Sequence, residues 1–254
     1  MAVTIKSQRE IELMRESCKI LADVFSQMEK AVHPGVSTLD INNLGEKLIR
    51  AHGCIPNFLN YNGYPASICV SLNQEVVHGI PDKHRIIQEG DIVSLDAGVI
   101  YKGYHSDAAR THAVGEVSEE AKKLIQVTKE SFFEGIKFAK AGNHLFDISG
   151  AIGRYAEERG YGVVRDLCGH GIGTALHEAP EIPNYEVGRK GVRLRPGMTL
   201  AIEPMINIGT HEVDWLDDDW TVVTRDGSLS AHYENTILIT EGEPRILSLT
   251  CDNE

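Results

Sequence analysis

Four carboxylates and one histidine stand where a chain ordinarily keeps charge away. Asp96 closes the apolar run Ile92-Val93-Ser94-Leu95, and Glu203 closes Met198-Thr199-Leu200-Ala201-Ile202. Glu234 directly precedes the apolar stretch Thr236 to Ile239, and Asp107 follows Asp96 across a turn around Lys102-Gly103. His170 lies in Gly169-His170-Gly171-Ile172-Gly173, where flanking glycines leave it bare and let the backbone approach a ligand. Each alone has an ordinary explanation, since an acid beside a glycine is usually a solvated turn residue. Together they form an oxygen-rich donor set with one nitrogen, which suits two hard or borderline divalent ions such as Mn, Fe, Co or Zn. Bridging carboxylates hold such ions roughly 3.5–4 Å apart, the spacing of two-metal hydrolases. A divalent ion lowers the pKa of water from 15.7 to about 7, so hydrolysis at neutral pH is the chemistry this set would serve.

The elements that must position these residues are legible in outline. If Ala97 to Ser106 turns through two residues, Asp96 and Asp107 fall on one face of a hairpin, because side chains alternate with period two. Two close carboxylates repel, and a shared proton or cation relieves them. Asp96 and Glu203 also hold equivalent places in a repeat. Gly90 to Asp96 and Gly197 to Glu203 are offset by 107, as are Gly35 and Gly142, Asp40 and Asp147, Ile41 and Ile148, and Gly53 and Gly160. Two large copies, where a solenoid needs three or more, predict two packed halves, approximately 1–110 and 111–254 of a single catalytic domain.

Ser7-Gln8-Arg9-Glu10 is a capping box. Ile11, Met14, Cys18, Leu21, Phe25, Met28 and Val32 then make one helical face, stopped by His33-Pro34-Gly35. A second helix starts near Thr38, buries Ile41, Leu44 and Leu48, and ends at Gly53. After Ser118 the plan returns: Ile125, Phe132, Ile136 and Ala139 line a helix ending at Ala141-Gly142, and a fourth runs from about Leu145 to Gly160. Strands follow each pair at Ile68 to Leu72, Ile92 to Leu95, Met198 to Ile202, Thr221 to Thr224 and Thr236 to Ile239. Helix pairs alternating with hairpins predict an α+β fold, with helices covering one side of an antiparallel sheet. Asp217-Asp218-Asp219, between Trp215 and Trp220, reads as a solvated hairpin tip.

The formal net charge of −12 disfavours phosphate backbones and anionic membrane surfaces. Five cysteines (Cys18, Cys54, Cys69, Cys168 and Cys251) form no C-x-x-C pair, and the odd count argues against a disulfide framework. The charges between Lys6 and Glu16 exclude a signal-peptide core, and no apolar run approaches the roughly 20 residues of a membrane span. The expectation is a cytoplasmic protein with no nucleic-acid or membrane partner.

The order and context of these residues resemble the type I methionine aminopeptidases of the pita-bread fold. The resemblance runs from Ile5-Lys6-Ser7 to Thr236-Ile237. It is carried by His78-Gly79-Ile80-Pro81, Leu95-Asp96, Gly103 to Asp107, Gly169 to Gly173, His177-Glu178, Ile202-Glu203-Pro204 and Tyr233 to Thr236. It implies that Asp96 binds one metal, that Asp107 and Glu234 bridge the pair, and that His170 and Glu203 bind the second. It further implies that Glu203 handles the proton of the attacking water and passes it to the leaving amine. His78 and His177 match substrate-contacting histidines beside the scissile amide and its oxyanion. Phe58, Tyr61, Tyr64, Cys69, Leu176 and Trp220 match the methionine pocket, although some relatives carry Cys in place of Phe58 and Phe in place of Leu176. Ala108-Ala109 stands where some relatives have Thr or Ser. The implied activity is removal of initiator methionine from nascent chains with a small second residue, by a monomer. The 30 residues between Glu203 and Glu234 leave no room for the insertion of the other major type, and no zinc module for ribosome docking is expected.

Three rival readings remain at this point. Proline-directed metallopeptidases share the fold but usually carry an N-terminal domain, for which the first half leaves no room. A non-catalytic binding protein on this fold should have lost ligands, and all five positions are intact. An acidic scaffold leaves the 107-residue offset unexplained.

Overall fold

Ser7 opens the first helix, α1 (Gln8–Met28), through the capping box that the sequence predicts: the Glu10 carboxylate accepts the Ser7 amide at 2.7 Å. This is seen in a computed structural model that describes residues 3–249; Cys251 lies outside them. The apolar periodicity overruns the helix. After Met28 the chain tightens into a 3-10 turn over Glu29–Ala31, and Val32 is extended. A second capping box, Ser37 with Asp40, starts α2 (Thr38–Ala51). Its buried face is Ile41, Gly45 and Ile49 rather than Ile41, Leu44 and Leu48, and the two leucines are half-buried. Gly45 sets this rotation: a Cβ there would lie 2.6 Å from both Met28 and Ile68.

The first half continues through β1 (Ile55–Pro56), β2 (Ile68–Leu72), β3 (Glu75–Val77), β4 (Ile92–Tyr101) and β5 (Tyr104–Ala113). The second holds α3 (Glu119–Ile136), α4 (Leu145–Glu157), β6 (Gly162–Val163), β7 (Gly169–Gly171), β8 (Glu178–Ile182) and β9 (Thr199–Ile202). It ends with β10 (Met205–Asn207), β11 (Val213–Trp215), β12 (Val222–Thr224), β13 (Ser230–His232), β14 (Glu234–Leu238) and β15 (Arg245–Ile246). An antiparallel sheet runs β1-β4-β5-β14-β9-β7-β8, with β2 also on β4 and β15 on β14. Two three-stranded sheets, β13-β10-β6 and β11-β12-β3, lie beside it.

Alternation gives the large sheet two different faces. On one, Val93, Leu95, Ala97, Val99 and Ala108 pack against α1 and α2, while Leu200, Ile202 and Ile237 pack against α3 and α4. The other face carries Asp96, Asp107 and Glu234. The halves meet where β5 pairs with β14, through Glu234↔Ala109 and Asn235↔Ala108, and where β3 pairs with β12, through Val77↔Val222 and Glu75↔Val223.

The offset of 107 recurs in the backbone. Gly35, Gly53 and Gly90 sit at φ 92°, 70° and 90°; Gly142, Gly160 and Gly197 sit at 95°, 85° and 87°. Ser37 bridges Ile86 as His144 bridges Arg193. The Gly35 amide donates to the Ile87 carbonyl at 2.8 Å, and Gly142 to Leu194 at 3.0 Å. Asp217 to Asp219 form the exposed β11–β12 tip, where Asp218 Oδ1 accepts the Trp220 and Thr221 amides.

Candidate metal centre

Lys102 and Gly103 join β4 to β5 with φ 48° and 81°. Two consecutive positive φ values give the primed two-residue turn whose twist suits the flanking strands. The register then sets Asp96 opposite Ala109 and Asp107 opposite Gly98, so both carboxylates rise from one face. Glu234 enters the same row because it pairs with Ala109 from the other side. Ala109 thus lies between Asp96 and Glu234, where a methyl leaves the space between the two acids open. Ala108 points to the opposite face and joins the helix core.

The second half supplies the remaining donors. Ile202 pairs with Asn235, which brings Glu203 level with Glu234, and His170 pairs with Ala201 on the next strand. The glycines around His170 answer to neighbouring strands rather than to a ligand. A Cβ at Gly169 would meet the Ala201 carbonyl oxygen at 2.4 Å, and one at Gly171 the Ala179 oxygen at 2.3 Å. Close contact on both sides fixes where the imidazole stands.

Its electronic state follows from burial. Desolvation pushes the His170 pKa down to about 3, so the ring is neutral. Nδ1–H donates to the Gly171 carbonyl at 2.9 Å, which leaves the Nε2 lone pair facing Glu203 Oε1 at 3.7 Å and Asp107 Oδ2 at 3.9 Å. A carbonyl-anchored neutral imidazole is the usual metal-ligating form. The carboxyls shift the other way. Burial raises Asp96 to about 7 and Glu203 to about 8, and raises Asp107 and Glu234 well above the ordinary range, with the neighbouring acids adding to it. Asp96 Oδ1, Asp107 Oδ1 and Glu234 Oε1 are buried without a hydrogen-bond partner among the described residues. Donor atoms of Asp107, His170 and Glu234 lie within 4.8 Å of one another, with Asp96 and Glu203 on the same cavity wall. Buried acids that nothing else satisfies, beside a free imidazole lone pair, fit divalent cations.

A cavity of about 250 Å³ gathers these five with His78, His177, Phe58, Tyr61, Tyr64, Cys69, Leu176 and Trp220. Every residue named from the sequence therefore lines one space. A larger groove of about 1050 Å³, between α1 and β15, holds none of them. Cys69 is both cavity wall and core strand, where burial pushes its thiol pKa up. The Tyr61 hydroxyl meets His177 Nδ1 at 2.7 Å, and the Tyr64 hydroxyl donates to the Gly79 carbonyl at 3.0 Å. Trp220 packs edge-on against Tyr64 and His78, at 5.1 and 6.3 Å between ring centroids. His78 holds φ 60°, a left-handed conformation that costs a non-glycine residue energy and concentrates at functional sites. Sequence reasoning missed Asn62, which lines the cavity, and His232, whose Nε2 lies 3.5 Å from Glu203 Oε2. For His232 a signal existed: it stands two residues before Glu234, the spacing that places strand side chains on one face.

Comparison with known proteins extends over nearly the whole chain. The sequence model of metallopeptidase family M24 matches residues 12–241. A methionine aminopeptidase of Clostridium acetobutylicum is 56% identical over 247 residues, covering 97% of this chain and 99% of that protein. The crystal structure of a methionine aminopeptidase from Thermotoga maritima superposes with a TM-score of 0.96 at 45% identity, covering 98% of this chain and all of that one. An Xaa-Pro dipeptidase of Bacillus anthracis is more distant, with a TM-score of 0.76, 28% identity and coverage of 96% of this chain against 61% of its own.

Proposed function

This chain belongs to metallopeptidase family M24 and has its pita-bread α+β fold, and from that membership we propose that it is a type I methionine aminopeptidase. It removes initiator methionine from nascent polypeptides whose second residue is small. The observation that carries this reading is the shared cavity. A five-residue donor set opens into a space of about 250 Å³ walled by Phe58, Tyr64, Cys69, Leu176 and Trp220. That is smaller than the roughly 300–1,000 Å³ of pockets for drug-sized ligands, so it suits one flexible thioether side chain rather than a run of peptide.

Asp96, Asp107, His170, Glu203 and Glu234 would hold two divalent ions, which when bound polarise the scissile carbonyl and acidify water. Because these ligands come from both halves, the chain acts as one catalytic domain. Glu203 takes the proton of the attacking water and returns it to the leaving amine. With the Tyr61 hydroxyl, 2.7 Å away, donating to Nδ1, His177 would carry its proton on Nε2 and offer it to the developing oxyanion. His78, held at its strained φ and braced by Trp220, contacts the substrate beside the scissile amide. The cavity wall excludes water and fixes the substrate side chain, which places the first peptide bond at the acids.

Metal analysis after anaerobic purification, followed by restoration of activity with Mn, Fe, Co or Zn in turn, identifies the ion. A panel setting Met-Ala-Ser against Xaa-Pro peptides tests the specificity. Faster Xaa-Pro cleavage would overturn the assignment.

A further inference from the structure

His232 is buried beside the acids without a partner of its own. It is 1% exposed, and neither ring nitrogen has a hydrogen-bond partner among the described residues. Leaving buried polar atoms unmatched is destabilising, so a ring kept in this state has a use. Its backbone is pinned. Thr111 Oγ1 accepts the His232 amide and donates to the His232 carbonyl, each at 2.9 Å, and the strand pairs with Met205. The ring consequently has little freedom, and Nε2 faces Glu203 Oε2 at 3.5 Å, while the other oxygen, Oε1, faces His170 at 3.7 Å.

We propose that His232 is a positioning residue: its Nε2–H donates to Glu203 Oε2 and keeps Oε1 directed at the metal position beside His170. The pair is roughly 0.3 Å beyond a formed N–H···O bond, a gap that a small rotation of the carboxylate closes. The proposal rests on the reading of Glu203 as ligand and proton carrier. Partners that orient metal ligands in this way usually change metal affinity or activity about 10–100-fold.

The test compares His232→Leu with His232→Gln, which retains an N–H donor. Manganese affinity of the metal-free protein is read by calorimetry, and kcat and KM are read on Met-Ala-Ser. His232→Leu should weaken manganese binding and lower kcat, each about 10–100-fold, with KM changed less than about threefold. His232→Gln should recover to within about threefold of the parent. Parental manganese affinity in His232→Leu, or a His232→Gln as poor as His232→Leu, overturns the proposal. Should His232→Leu not fold, nitrogen-15 spectra of the parent decide. Nε2 must be the protonated nitrogen and its signal must move in Glu203→Gln; the opposite tautomer, or an unmoved signal, overturns the proposal. A parent protein that binds manganese but leaves Met-Ala-Ser uncut would sink the peptidase assignment while the affinity comparison still stands.

Discussion

Glu203 and His170 face each other across 3.7 Å and carry the sharpest test at the scale of single residues. Replacing Glu203 by Ala should lower kcat by on the order of 10²–10⁴-fold, the range for loss of a proton-transfer group, and replacing His170 by Ala should abolish metal-dependent turnover by removing a ligand. Circular dichroism should stay parental, because both side chains project into a cavity rather than the core. Near-normal turnover in either variant would refute the site. Tyr61→Phe isolates the brace on His177. Loss of one hydrogen bond, about 0.5–1.5 kcal/mol, should reduce kcat/KM roughly 2- to 12-fold on Met-Ala-Ser. The four acids were legible because carboxylates bordering apolar strands are conspicuous, and His170 because glycines flank it. His78 and His177 came only through resemblance, since a left-handed φ and a Tyr61 partner 116 residues away leave no mark in local spacing.

Strand packing, more than access, explains the Gly-His-Gly element. Gly171→Ala would drive a methyl into the Ala179 carbonyl and push β7 off β8. The expected cost is about 1–3 kcal/mol in chemical denaturation. Manganese affinity should fall as well, because His170 moves with its strand; an unchanged melting curve would refute this account. Helix beginnings were read correctly at Ser7, near Thr38 and after Ser118, and in the structure Ser7, Ser37 and Ser118 cap the bare amides. The ends of α1 and α3 were not: α3 stops at Ile136, yet Ala139 beyond it is fully buried, so apolar periodicity continued past the last helical turn. The face of α2 was misjudged for a related reason. Gly45 lets the helix sit against Met28 and Ile68, and a residue without a side chain gives no hydrophobic signal.

Taken whole, the molecule concentrates charge that only cations reconcile. Asp96 at about 7 and Glu203 at about 8 lie above their unfolded values, so the folded state binds more protons than the unfolded one and stability is lost as pH rises through these values. His78, His112 and His232, each pushed down to about 4 by burial, give the opposite slope, but that is complete by about pH 6.5. In chelator, the melting temperature should therefore fall between about pH 6.5 and 8.5, and manganese should restore it by mass action. A flat profile in chelator would contradict the burial of these acids. The duplication was visible in the sequence as an offset; the joins between its copies were not, because strand pairing across 125 residues has no local signature. Those joins have a practical consequence. Glu234↔Ala109 and Asn235↔Ala108 tie β5 to β14, and Val77↔Val222 and Glu75↔Val223 tie β3 to β12. A chain severed in the exposed stretch near Gly115 and Glu116 should yield fragments that are inert apart and catalytic when reunited, so that fusing them to two other proteins would report whether those proteins meet.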